Sequence, residues 1–191
     1  TWRHQRVLND CIGEKAKIKL LILDVDGVLT DGTKVYTQKH EPVYKRFRCK
    51  DFTAIKRMRG AGVPVCFVSG DENVNKAMAE NRNVPFYSAR GRDKAEFIPE
   101  LCSSFQTKPE NMVYVGDDLF DLTIMEEVGH PYCPSDSSRE LIRHCNSKGN
   151  FMQSVGGDNV VAELFYILLD KRLIDDCTME DIENLDKQEV F

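Results

Sequence analysis

The stretch LLILDVDGVLTDG, residues 20–32, carries the first decision about the fold. Leu20 to Leu23 form an unbroken apolar run, the pattern of a strand buried on both faces rather than one that alternates between core and solvent. It runs straight into Asp24 and Asp26, with Asp31 close behind and Gly27 and Gly32 among them. Two later stretches repeat the plan of an apolar run that ends on small or acidic residues: VPVCFVSGDE at 63–72 and NMVYVGDD at 111–118. Helical patterns near 51–61, 72–81, 93–105, 119–128 and 158–169 separate them, and shorter apolar segments near 84–87 and 130–133 read as further strands. Strand and helix in alternation predict an α/β domain with a doubly wound parallel sheet.

Residues 33–49 break this rhythm. They read as two extended stretches around the turn-like QKHEP, a β-hairpin projecting from the end of the first strand. In its second stretch Tyr44, Arg46 and Arg48 share one face, and Lys45, Phe47 and Cys49 share the other. The chain divides into an N-terminal extension or linker at 1–17, one domain at 18–170, and an acidic tail at 171–191 that is either helical or disordered.

Of the formal charge of −5, all is accounted for by residues 170–191, with eight acids against three bases, so the remainder is nearly balanced. That argues against a nucleic-acid partner. No apolar run approaches the roughly 20 residues that span a bilayer, and 1–17 is too charged for a signal peptide, which predicts a soluble, cytoplasmic protein with no membrane partner. The seven cysteines are odd in number and scattered, without CxxC spacing, and are expected to be reduced thiols. His4, His40, His130 and His144 show no metal-ligand spacing.

In open parallel sheets, ligands bind beyond the carboxyl ends of the strands. That rule brings Asp24 and Asp26 together with Asp117 and Asp118, beside Ser69, Gly70 and Asp71. Carboxylates that converge repel each other unless a cation intervenes. A hard cation such as Mg2+ suits oxygen donors and keeps waters that a phosphate can replace. Asp24 is then placed to attack phosphorus, and Asp26 to protonate the leaving oxygen and later to activate water. Ser69 could instead simply cap the helix that follows it.

The run DVDGVLTDG, Ser69 followed by Gly70, Lys94 in GRDK and GDDLFD resemble, in order and spacing, the four motifs of the haloacid-dehalogenase superfamily of phosphatases. The resemblance implies Asp24 as nucleophile, Asp26 as general acid and base, Ser69 as a hydroxyl donor to the phosphoryl group, and Lys94 as its cationic partner. It implies metal ligation by Asp24, the Asp26 main-chain carbonyl and Asp117, with Asp118 and Asp121 in support. Gly27 would leave room beside the reacting phosphate.

Neither the segment between Asp26 and Ser69 nor that between Lys94 and Asp117 can hold a cap domain. Uncapped members with DGVLTDG and a following hairpin resemble the 3-deoxy-D-manno-octulosonate 8-phosphate phosphatase group. That group includes phosphatases of nine-carbon keto-deoxy sugar acid (acylneuraminate-type) 9-phosphates and the C-terminal domains of some acylneuraminate cytidylyltransferases. It implies a phosphorylated sugar acid substrate and a homotetramer, with Gly156 and Gly157 of GGDNVVAEL as its late glycine motif. Two departures stand out: Asp71 replaces an expected arginine, and Ala162 stands where arginine precedes glutamate. Arg46, Arg48, Lys50 and Arg90 are candidates to supply the missing cation. Two rival expectations follow, an assembly domain linked to a cytidylyltransferase and an uncapped phosphatase for protein or nucleotide substrates.

Overall fold

The computed structural model describes residues 18–189, so the extension at 1–17 lies outside the described residues. In chain order its elements are strand β1 (Leu20–Leu23), hairpin strands β2 (Val35–Tyr36) and β3 (Pro42–Tyr44), helix α1 (Cys49–Gly60), β4 (Val65–Ser69), α2 (Asn73–Asn81) and β5 (Phe86–Ser88). There follow a 3-10 turn at Lys94–Phe97, α3 (Ile98–Ser104), β6 (Met112–Val115), α4 (Leu122–Glu127), β7 (His130–Tyr132), α5 (Arg139–Ser147), α6 (Val160–Asp170) and α7 (Met179–Asp186).

The unbroken apolar run at Leu20–Leu23 becomes the central strand, with no side chain exposed. β1 pairs in parallel with β4 on one side, Leu21 opposite Val65, and with β6 on the other, Leu20 opposite Met112. The full order is β5-β4-β1-β6-β7, all parallel, as the α/β pattern predicts. Alternate residues serve opposite faces. Leu21, Leu23, Val65, Phe67, Val113 and Val115 meet α1 and α6 through Ile55, Met58, Leu164, Phe165 and Leu168. Leu20, Ile22, Cys66, Val68, Met112 and Tyr114 meet α3, α4 and α5 through Leu101, Ile124, Met125 and Leu141. Each such side chain contributes about 1.5–3 kcal/mol by leaving water.

Two features of the helices differ from the sequence reading. The helices expected at 93–105 and 119–128 each start as a 3-10 turn, at Lys94–Phe97 and Leu119–Asp121, and α3 begins only where Pro99 can occupy the first turn, needing no backbone donor. α5 was not anticipated. Only Leu141 and Cys145 of its residues are buried, so its apolar signal is thin.

Helix α1 is tied at both ends. Near its start Asp51, 1% exposed, accepts hydrogen bonds from the Val161 and Ala162 amides at 2.8 and 3.1 Å, satisfying the open N-terminus of α6. Farther along, the acidic tail docks against it: Lys56 pairs with Asp186 and, at 3.0 Å, with Glu189, and Arg57 pairs with Asp176 at 2.9 Å. The tail is thus helical in α7, whose start carries a Thr178–Asp181 capping box.

The six described cysteines are free thiols. Among the described residues no helix is long and apolar enough to cross a membrane.

Candidate active site

The carboxyl ends of β1, β4, β5 and β6 open into one cavity of about 940 Å³, with Asp24, Asp26, Ser69, Gly70, Lys94, Asp117, Asp118 and Asp121 in its lining. Segments far apart in sequence converge there because a parallel sheet puts all its strand ends on one edge.

Lys94 lies at the centre. Its ammonium donates to Asp24 Oδ2 at 2.7 Å and to Asp121 Oδ1 at 2.6 Å, and its side chain is 8% exposed. Burial works against its charge, but the two carboxylates outweigh it and hold the lysine protonated beyond its ordinary range.

Asp121 is saturated. Besides Lys94 it accepts from the Tyr114 hydroxyl at 2.5 Å on the same oxygen, and its other oxygen takes the Asp117 and Asp118 amides at 2.9 and 3.1 Å. It therefore shapes the β6 loop rather than offering a lone pair outward. Asp118 accepts from the Leu119 amide at 2.8 Å and from Ser138 at 3.3 Å.

Asp117 is the opposite case. Its carboxylate accepts no hydrogen bond from any described residue, and burial together with Asp24, Asp121 and Asp118 pushes its pKa up to about 8. Burial also pushes Asp24 up to about 6, against the pull of Lys94. Ligand oxygens of Asp24, Asp117 and Asp121 lie within 4.8 Å of one another. A half-buried carboxylate without donors, facing a second carboxylate, fits a hard divalent cation with oxygen ligands. With Asp121 saturated, Asp24 and Asp117 are the side chains left to hold it.

Gly27 has φ +80°, and a Cβ there would fall 1.9 Å from Asp117 Oδ2. The room it leaves is for Asp117, where the sequence reading placed the phosphate. Ser69, 1% exposed, accepts from Asn75 Nδ2 at 3.0 Å, while Gly70 has open space before it.

Five other expected contacts lie elsewhere. Arg46 and Arg48 do not line the cavity; they point outward and pair with Asp31 at 2.9 Å and Asp158 at 3.2 Å. Gly156 and Gly157 support the site from behind. A Cβ on Gly156 would meet Gly27 O at 2.3 Å, one on Gly157 would meet the Asp31 amide at 2.5 Å, and Gly157 N donates to Val28 O at 2.9 Å. Lys50 lines a separate groove between α1 and α6.

Sequence reading passed over Lys45, Lys34 and Asn75. Lys45 Nζ lies 2.9 Å from both Asp26 Oδ2 and Asp71 Oδ2, and Lys34 reaches Asp71 at 3.1 Å. Of the four cations lining the cavity, Lys34 and Lys94 are thus engaged, and Arg92 stacks on Phe97 and pairs with Glu96. Arg90, exposed at the end of β5, has no ion pair with a described residue.

No family model matches the chain. The curated 3-deoxy-D-manno-octulosonate 8-phosphate phosphatase of Escherichia coli K12 is 31% identical over 163 residues, covering 84% of each protein. A solved hydrolase of the HAD superfamily, subfamily III A, from Legionella pneumophila superposes with a TM-score of 0.77 at 24% identity, over 99% of this chain and 100% of that one. The cobalt-bound deoxy-D-mannose-octulosonate 8-phosphate phosphatase of Haemophilus influenzae gives 0.72 at 27% identity, over 81% and 88%. The fold is that of the haloacid-dehalogenase superfamily, a five-stranded parallel sheet with a cavity at the carboxyl ends of its strands. Within that superfamily, the chain belongs to the 3-deoxy-D-manno-octulosonate 8-phosphate phosphatase group.

Proposed function

We propose that the protein hydrolyses the phosphomonoester of a 2-keto-3-deoxy sugar acid, of the octulosonate 8-phosphate or nonulosonate 9-phosphate type, with Mg2+ and through an aspartyl phosphate. The observation that carries this reading is the Lys94–Asp24 pair set beside the donor-free Asp117 in an open cavity. It is supported by the activity named for the relatives and by the cobalt ion of the Haemophilus structure.

Asp24, oriented by Lys94 and by the Val25 amide at 2.7 Å, attacks phosphorus as the bond to the sugar oxygen breaks. Asp26 passes its proton to that oxygen, then takes one from the water that releases phosphate from Asp24. Ser69 and Lys94 donate to the phosphoryl oxygens. A cation held by Asp24, Asp117 and the Asp26 carbonyl supplies neutralisation of the phosphoryl charge. The substrate's carboxylate needs a cation of its own, and Arg90 is the one in the cavity without an ion pair among the described residues.

The test is phosphate release with Mg2+ from keto-deoxy sugar acid phosphates, neutral sugar phosphates and nucleotides, with Asp24→Asn as the blank. Selective release from the sugar acid phosphates is expected. Preference for nucleotides would overturn the substrate class, and no release above the blank from a folded oligomer would favour an assembly domain linked to a cytidylyltransferase. The protein is expected to act as a homotetramer in the cytoplasm.

A further inference from the structure

We propose that Lys45, carried into the site by the hairpin, is a positioning residue for Asp26, and that Asp71 is what holds Lys45 in place. The proposal rests on the assignment of Asp26 as general acid and base.

The Lys45 side chain is 1% exposed although it follows directly on an exposed strand end, Tyr44. An ammonium has three N–H donors. Here each has an acceptor at 2.9 Å: Asp26 Oδ2, Asp71 Oδ2 and Asn75 Oδ1. Asn75, fully buried in α2, closes the network by donating from Nδ2 to Asp26 Oδ2 at 3.1 Å and to Ser69 Oγ at 3.0 Å.

This arrangement distinguishes the two oxygens of Asp26. Oδ2 takes two hydrogen bonds. Oδ1 lies 2.7 Å from Lys45 Nζ but outside hydrogen-bond geometry, and has no hydrogen-bond partner in the described structure. Oδ1 is also buried, so Oδ2, the oxygen that Lys45 and Asn75 hold, is the one left to face the cavity. In the first half-reaction the O–H bond of the Asp26 carboxyl breaks as the proton bonds to the departing sugar oxygen. By fixing Oδ2, Lys45 and Asn75 set the direction in which that carboxyl meets the cavity.

Asp71 explains why a lysine can be held there. A buried ammonium with one carboxylate would share a single negative charge between two demands, while Asp71 supplies a second acceptor and also receives Lys34 at 3.1 Å. The acidic residue that departs from the group's usual arginine thus has work inside this site. It binds the hairpin to the catalytic pair.

A lysine that merely pinned the hairpin would affect every substrate alike, whereas one that aims the general acid matters most when the leaving oxygen needs a proton. The experiment compares kcat/KM with Mg2+, which covers steps through departure of the leaving group, for a sugar acid phosphate and for p-nitrophenyl phosphate. The variants are Lys45→Met, Lys45→Arg and Asp71→Asn. Lys45→Met should lower kcat/KM about 100-fold for the alkyl phosphate and less than about 3-fold for the aryl phosphate. Lys45→Arg should recover part of the loss, and Asp71→Asn should fall between wild type and Lys45→Met. Equal losses on both substrates, or none, overturn the proposal. Should Lys45→Met fail to fold by circular dichroism, Asp71→Asn, which keeps the lysine, carries the same comparison. A wild-type protein inactive on both phosphates would overturn the phosphatase reading and this proposal together.

Discussion

Gly27 is held glycine by two independent constraints, a left-handed backbone and the Asp117 carboxylate 1.9 Å from where a Cβ would stand. Gly27→Ala should therefore cost about 1 kcal/mol or more in stability from the backbone alone, and displace Asp117 as well. The expected outcome is a weakened Mg2+ affinity, seen in a metal titration as a higher Mg2+ concentration for half-maximal activity. The raised carboxyls of Asp24 and Asp117 give a second prediction. Both titrate above the unfolded value of 3.8, near 6 and near 8, so the cation-free fold holds more protons than the unfolded chain across that window and loses stability as pH rises through it. Mg2+ displaces those protons, so the rise in Tm on adding it should be larger at about pH 8 than at about pH 5. Arg90→Gln should raise KM about 10-fold for a sugar acid phosphate with kcat little changed, and leave a neutral sugar phosphate unaffected. At this scale the sequence showed the carboxylates, because their spacing after apolar runs is local. Lys45 was invisible for a different reason. Its alternation with Arg46 and Arg48 was readable, but the hairpin's fold turns the Lys45 face inward, while the two arginines that look suited to an anion face solvent.

Between elements, the joint of α1 with α6 depends on one side chain. Asp51→Ala removes the acceptor for two amides at the start of α6 and should cost about 1–2 kcal/mol, seen as a lower Tm. Burial pushes Asp51 above its ordinary pKa, so a neutral acceptor is no worse placed, and Asp51→Asn should recover most of the loss. The strands were legible because both faces of the sheet are covered and no polar residue interrupts β1 or the apolar part of β4. α5 was not, since two buried residues cannot establish a helical period. The docking of α7 was equally hidden: basic residues on α1 and acids in the tail are each ordinary alone, and only the fold shows that Lys56 and Asp186 meet.

At the scale of the whole molecule, the hairpin stands out as incomplete. Val35 and Tyr44 oppose each other across its two strands and are 42% and 54% exposed. An isolated two-stranded hairpin is marginal in water, so a second copy is the expected cover. Replacing both residues with serine should shift the sedimentation mass from that of the proposed tetramer toward smaller species. The order of the sheet also bears on how the protein reaches its working state. β1 is central, yet its partners are the strands at Val65 and Met112, and the hydrogen bonds on Asp26 are complete only when the hairpin lysine also arrives. Such long-range parallel pairing is slow to form. Recovery of turnover after dilution from denaturant should therefore trail the return of helical circular dichroism, which makes enzymatic activity the stricter gauge of correct refolding.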